Sequence, residues 1–481
     1  MGRLTMMRRQ LEPRITSLRR SDTAKAAGLA LAMIANNVIA LASTIVFARL
    51  LSDYGSLAAL VSYFLILSVV GYAIQVATAR EGVLGHLGVG PGLIATLKRW
   101  TRALLVVTVV VTMISVLLRD PIAQLVGVKK DQWAAAVGLP AACLWIELSI
   151  LRGALQGVGD YRSVGISLIG EQATRLIIGA ALVVAGLGVT GAYLGTPLSF
   201  VAMGAYCAFH LRRYAAQHET AEAGEVAREA ALDLWTHFKR AWAPIAGLIV
   251  IAVLQNIDLI AAKHRLHGTQ LQSSYAATAV AAKVLIWVAI GAGFYLVPEV
   301  SRRRAAGEDP RPVLAHALGI ILVCAIPVLL IFAFGATPLL RIAFGPKRLE
   351  ASGSLLVLGV AFTVLAGTYL AIQYMLALKR TAFLLAVGAV AIAEPLLLLQ
   401  ASRKPGGFAA VVLGVQVVGA LLAFALALRR GGAPPETAPS PQPHAVMPSG
   451  ASTNGTPVGV GSTDQYPLQE ARWRSPRSSS S

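Results

Sequence analysis

Of the 481 residues, 56% are hydrophobic and only 14% charged, with a mean hydropathy of +0.67. An average soluble domain is roughly a quarter charged, so a soluble globule is excluded. The formal charge of +19 would point to nucleic acid in a soluble protein. Here the Lys and Arg are spread among loops without interleaved aromatics, so no nucleic-acid partner is expected.

The apolar residues come in blocks near twenty long, the length a helix needs to cross a hydrocarbon core of about 30 Å. The alternating pattern of a transmembrane barrel is missing. Residues 1–25 carry Arg3, Arg8, Arg9, Arg14, Arg19, Arg20 and Lys25 ahead of an apolar block too long for a signal-peptide core. They read as a basic cytoplasmic N-terminus followed by a retained first helix. Helices are predicted over 26–48, 57–79, 103–118, 133–151, 163–184 and 188–210, forming a first lobe over 26–210. Residues 211–241 are charged in both signs and, with Trp242, set Leu232, Trp235 and Phe238 at helical spacing. That pattern fits an amphipathic connector, lying on the cytoplasmic interface or packed on the bundle. Helices over 242–262, 275–297, 313–334, 351–374, 382–400 and 408–428 form a second lobe over 242–428. The Pro-, Gly- and Ser-rich remainder, 429–481, cannot bury enough apolar surface to offset chain entropy and reads as a disordered cytoplasmic tail.

Charge placement agrees with twelve crossings. Loops on the amino-terminal side hold more than twice as many Lys and Arg as the opposite loops, which assigns that side, and both termini, to the cytoplasm. Cys143, Cys207 and Cys324 sit in separate apolar blocks and read as small hydrophobes. No GxxxxGK[ST], HExxH or CxxC occurs, so neither a nucleotide motor nor a metal centre is expected. The outer loops are short, and Asp120, Asp131, His264 and His267 read there as solvated polar groups, which leaves little for an enzyme.

Glu147, Glu171, Arg175, Asp258, Lys283 and Glu394 fall within predicted helices, where a charge is expensive unless it meets a partner or a wet cavity. Glu171 and Arg175 lie one turn apart on the fifth helix. Asp258 and Lys283 stand at similar depth on the seventh and eighth, placed to pair. Two readings stay open. The charges are internal ion pairs, or they line a cavity where Arg175 and Lys283 bind a diphosphate and Glu147, Glu171 or Asp258 exchanges a proton or sodium. The amides Asn36, Asn37 and Asn256, on the first and seventh helices, are polar candidates for the same cavity. Glu394 precedes Pro395 and reads as a kinked helix end. Arg49 and Arg80 read as snorkelling anchors, Pro140, Pro298 and Pro327 as bends, and Gly191 with Gly195 as a close helix contact.

Four segments carry a family resemblance: FARLLSDYGSLAALVSYF (47–64), LRGALQGVGDYRSVGISLIGEQATRL (151–176), QNIDLIAAKHRL (255–266) and SSYAATAVAAKVLIWVAIGAGFYLVPEVSRRR (273–304). Over roughly residues 24–430 the chain resembles the polysaccharide flippases of the multidrug/oligosaccharidyl-lipid/polysaccharide (MOP) exporter superfamily. The resemblance implies an all-α integral membrane protein of two six-helix lobes around a central cavity, with no cofactor and no enzymatic activity. It implies alternating access driven by a proton or sodium gradient. The implied cargo is a polyprenyl-diphosphate-linked oligosaccharide for surface or exopolysaccharide synthesis in the bacterial cytoplasmic membrane. Membrane lipids and a glycosyltransferase or polymerase of the same pathway are the implied partners. This chain lacks a dense set of arginines in its first two helices, which favours a surface-polymer intermediate over a peptidoglycan precursor. A drug/cation antiporter of the same superfamily is the second reading. A membrane-embedded transferase and a transport-dead scaffold come behind it.

Overall fold

The computed structural model describes residues 22–217 and 242–429. The basic N-terminus up to residue 21, residues 218–241 of the connector and the tail from 430 lie outside the described residues. The described residues form fourteen helices: α1 (Asp22–Leu50), α2 (Tyr54–Val83), α3 (Pro91–Leu117), a short α4 (Arg119–Val126), α5 (Gln132–Gly157), α6 (Tyr161–Leu182) and α7 (Gly188–Gln217), then α8 (Trp242–Arg265), α9 (Thr269–Ala282), α10 (Val284–Ala305), α11 (Arg311–Phe344), α12 (Leu355–Ala377), α13 (Phe383–Gln400) and α14 (Pro405–Leu428).

Eleven stretches among them are long and apolar enough to span a membrane, and one of these, Tyr161–Gln217, runs for 57 residues. It is two crossings. Gly186 (φ 94°) and Gly188 (φ 53°) adopt backbone conformations open mainly to glycine. The chain folds back there and α6 packs along α7. Crossing eight is also in two pieces, since the helix is interrupted at Lys283 between α9 and α10. The described residues thus make the twelve crossings expected. Large apolar side chains such as Leu117, Phe334 and Leu385 are exposed on the bundle's surface, which suits a multi-pass membrane protein and no aqueous one.

The helices bend where a carbonyl is displaced, and three of the anticipated prolines do not break them. Pro140, Pro298 and Pro327 lie inside continuous helices. The departure in α11 is at Gly335 (φ −121°, ψ 18°), beside the Phe334 carbonyl that the ring of Pro338 would strike. Gly195 does permit the close contact anticipated, since a Cβ there would lie 2.6 Å from the Arg175 carbonyl oxygen. At the α2–α5 crossing a Cβ on Gly71 would lie 2.3 Å from Nε1 of Trp145. Trp145 in turn donates to the Ser68 carbonyl at 2.7 Å.

Packing sorts the helices into two halves. In the first, α5 lies against α2, α3, α4 and α7, and α1 lies on α6. In the second, α12 lies against α10, α11 and α14, while α8 lies on α13. The halves meet through α2 against α8 and α9, and α1 against α11. Among the described residues, side-chain bonds from one half to the other gather at the face opposite the amino terminus. Arg348 donates to the carbonyls of Ala48 (3.3 Å), Leu51 (2.5 Å) and Ser52 (3.2 Å), the open end of α1. Arg49 reaches the other way, to the carbonyls of Ile342 and Ala343 at the end of α11. Each half therefore caps a helix of the other, satisfying carbonyls that a helix cannot pair internally and placing a cation at the negative dipole end. Arg49 is thus a joint between halves, where a snorkelling anchor was expected.

The seam is completed by Ser273, which accepts from the Gly55 amide at 3.0 Å, and by His264, whose Nε2 lies 2.9 Å from the Leu125 carbonyl. Lys263 donates to both carboxylate oxygens of Asp53 (3.2 and 3.4 Å) and to Gln272 (2.8 Å). Asp131 stands close by, its carboxyl pushed above the usual range first by burial and then by the Asp53 charge. Asp131 is half-buried there, partly enclosed and partly open to solvent. Substituting Arg348 by Ala removes three bonds to the end of α1, and with each net bond worth about 1 kcal/mol the seam should weaken by about 1–3 kcal/mol. Electron–electron distance measurements between spin labels at Lys129 and His267, in a cysteine-free background, should then show a longer and broader distribution than in the parent.

Candidate functional site

Two clusters of buried charge occupy the two halves. In the first, Arg152 on α5 is fully buried beside α6. Its Nε donates to Oγ of Ser167 (2.8 Å), one terminal nitrogen to the Ser167 carbonyl (2.8 Å) and the other to Oε2 of Glu171 (2.9 Å). The second oxygen of Glu171 accepts from Arg175 at 2.9 Å. The pair expected between Glu171 and Arg175 is therefore present, but it is half of a triad. One carboxylate faces two guanidiniums, which leaves one positive charge unbalanced. Each nitrogen of Arg152 has a partner, whereas Arg175 has a nitrogen without one: its Nε is buried and unpaired, and its side chain is 20% exposed beside the ring of Phe200. A guanidinium with unused donors in low dielectric is the arrangement that an oxyanion completes.

In the second cluster, Lys283 sits at the break between α9 and α10 and donates to Oδ1 of Asp258 on α8 at 2.9 Å, while Tyr275 donates to Oδ2 at 3.4 Å. The anticipated pairing of Asp258 with Lys283 is met. Lys283 is buried, with the Phe362 ring 5.1 Å away, and its ammonium is engaged. Glu394 on α13 is fully buried in the same region. Its Oε1 accepts from Nε2 of Gln416 (3.1 Å), which also donates to the Leu254 carbonyl (2.9 Å), and its Oε2 has no partner. The expectation that Glu394 marks a kinked helix end is corrected, because α13 continues through Pro395 to Gln400.

The remaining candidates lie apart from these clusters. Glu147 on α5 accepts from Thr101 of α3 at 2.5 Å, and its other oxygen is buried without a partner. Asn256 is buried but donates to the Ala252 carbonyl of its own helix at 3.0 Å, so its amide serves the backbone. Asn36 and Asn37 touch one another at 3.4 Å, a long contact. A Ser163–His210–Asp160 grouping has the composition of a nucleophilic triad without its geometry. Nδ1 of His210 is the nitrogen nearest to both Ser163 (3.1 Å) and Asp160 (4.0 Å), and Asp160 caps α6 through the Ser163 amide, so no relay runs through the ring.

Sequence reasoning missed Arg152 and Gln416. The predicted helix ended at 151, one residue short of the arginine. Helix α5 runs on through Arg152 and Gly153 and ends at Gly157. No protein-family model matches the sequence, and no curated protein does. Solved structures do. The chain is similar to a lipid II flippase MurJ in an inward closed conformation (16% identity, 83% of this chain and 87% of that one, TM-score 0.63). A multidrug resistance MATE family transporter of the MOP superfamily matches in an inward-facing conformation (14%, 81% and 92%, TM-score 0.59). A MATE transporter solved outward-facing gives 13%, 85% and 96%, with a TM-score of 0.51.

The chain shares the fold of these solved transporters. Its neighbours include both a flippase and drug transporters, so cargo has to be argued from the clusters. The energetics of the first can be tested directly. Replacing Glu171 by Gln leaves Arg152 buried without a countercharge and should cost about 3–5 kcal/mol of stability. Arg175→Ala removes a partly exposed cation and should cost far less. Thermal unfolding of the two variants in detergent should therefore separate them, with Glu171→Gln clearly lower.

Proposed function

We propose that this MOP-fold protein is a flippase. It translocates polyprenyl-diphosphate-linked oligosaccharide across the bacterial cytoplasmic membrane by gradient-driven alternating access, with both termini in the cytoplasm. The observation that supports the cargo is the surplus charge of the first cluster. Arg152, Glu171 and Arg175 sum to one positive charge within the membrane region, and Arg175 keeps unused donors. A diphosphate supplies negative charge and several acceptor oxygens at once. We assign phosphate binding to Arg175 alone, since the ammonium of Lys283 is held by Asp258. A lipophilic drug cation would meet repulsion at the first cluster, which ranks the antiporter reading second. The bonds gathered at the face opposite the amino terminus fit a molecule closed on the outer side. The higher TM-scores against the two inward states than against the outward one support the same reading.

The test is translocation of a fluorescent lipid-linked saccharide in proteoliposomes, scored by quenching from outside. Arg175→Ala should insert and unfold like the parent yet lose translocation to the protein-free level, whereas Arg175→Lys should retain part of it by keeping the charge. Unchanged translocation by Arg175→Ala would remove Arg175 from the mechanism. Drug resistance on expression, with surface polymer unaffected, would reverse the ranking of the two cargos.

A further inference from the structure

We infer that Glu394 is the group that takes up and releases the coupling ion, and that this ion is a proton, with Lys283 serving as a built-in cation in place of a metal. The inference deepens the transporter reading by naming what drives it, and its test is independent of the cargo. Three observations carry it. Glu394 is fully buried and has one oxygen without a partner, the least tolerable arrangement for an ionised carboxylate and a simple one for a carboxylic acid. Among the described residues, the charged and titratable groups around it are Asp258 from α8, Tyr275 from α9 and Lys283 from the α9–α10 break, with the Gln416 amide facing it from α14. With Asp258 and Lys283 neutralising one another at 2.9 Å, the cluster is neutral when Glu394 carries a proton and negative when it does not.

The second observation concerns what the surroundings present to that carboxyl group. Gln416 must aim its N–H group at both Glu394 and the Leu254 carbonyl, because the reversed amide would set an oxygen against two acceptors. Lys283 contributes more N–H donors from the side of Asp258. A hard metal cation is held by a shell of oxygens. Around Glu394 the flanking groups offer hydrogens instead, and both oxygens of Asp258 are already taken by Lys283 and Tyr275.

The third observation is the break in crossing eight. The helix is interrupted at the residue whose ammonium holds Asp258. A proton leaving Glu394 makes a second carboxylate for that ammonium, so deprotonation draws Lys283 between two anions and pulls on the junction of α9 and α10. The step is balanced: the O–H bond of Glu394 breaks, the proton passes to water on the side then open, and the negative charge left behind is shared with Lys283.

The experiment records charge displacement on solid-supported membranes carrying the full chain in liposomes, with no saccharide present. An acid jump in sodium-free buffer should give a transient displacement in the parent, and Glu394→Gln, which keeps size and hydrogen bonding, should reduce it to the protein-free level. A sodium jump at constant pH should give none in the parent. Lys283→Met empties the built-in cation's place and should create a sodium-dependent displacement, together with a sodium-dependent rise in thermal unfolding temperature. A sodium response in the parent, an acid response that survives Glu394→Gln, or no sodium response in Lys283→Met would each overturn the assignment. Failure of saccharide translocation would leave these readings standing, so the two proposals fail separately.

Discussion

An ionised carboxylate buried in hydrocarbon has to be answered by a cation within hydrogen-bond reach, and two of the buried acidic side chains of this protein meet that requirement. Glu171 is answered twice, by Arg152 and Arg175, and Asp258 once, by Lys283. In bulk water such pairs would contribute little. Here each fixes where two helices can sit, because moving one partner away strands the other in low dielectric at a cost of several kcal/mol. Arg152 shows the effect most clearly. Its three bonds run to α6 alone, so α5 and α6 are registered against one another by a single side chain. The aromatic Trp145, whose ring lies 5.6 Å from that guanidinium, registers α5 against α2 through Gly71 and Ser68.

The seam between the halves obeys a related rule with different partners. The last carbonyls of a helix have no internal donor, and water meets them when the helix ends in solvent. Arg348 and Arg49 replace that water reciprocally across the seam. Closure of one face is therefore achieved with groups that become satisfied by water as soon as the halves part. Such a joint is strong enough to hold and reversible without leaving orphaned polar groups, which distinguishes it from the buried pairs inside each half.

Much of the fold was legible because hydrocarbon thickness imposes a minimum apolar length. Gly186 fell between the predicted helices 163–184 and 188–210 for the same reason, while Gly188 was set at the start of the second. Helix ends were less legible. Helix α3 starts at Pro91 and not at 103, since the charged turn holding Lys98, Arg99 and Arg102 is helical although it lies beyond the apolar block. Charge marks where hydrocarbon stops, and a helix is free to continue past it. Arg152 likewise lies just past the predicted end at 151, and the rule that proline ends a helix hid Glu394. The local Glu171–Arg175 pair was readable from spacing, whereas Arg348 and its carbonyls are about three hundred residues apart in sequence. No periodicity announces a partner at that separation, so the seam had to be found in three dimensions.

The charges of the two halves make different demands, and this links cargo to driving force. The first cluster carries a surplus positive charge that only an anion relieves, and its members, two guanidiniums and a carboxylate held between them, are poorly suited to exchanging protons because arginine remains charged throughout the accessible pH range. The second cluster can be neutral without any cargo, provided Glu394 holds a proton, and it sits where crossing eight is already broken. In the proposed mechanism an anion entering the first half and a proton leaving the second act on separate halves of one molecule. What joins them is the seam, built mainly from arginine-to-carbonyl bonds, with the imidazole of His264 and Lys263 with its two neighbouring carboxylates as its other ionisable members. Under that mechanism the state of the buried clusters would therefore bias which face is open, and the seam is the structure through which both clusters would act.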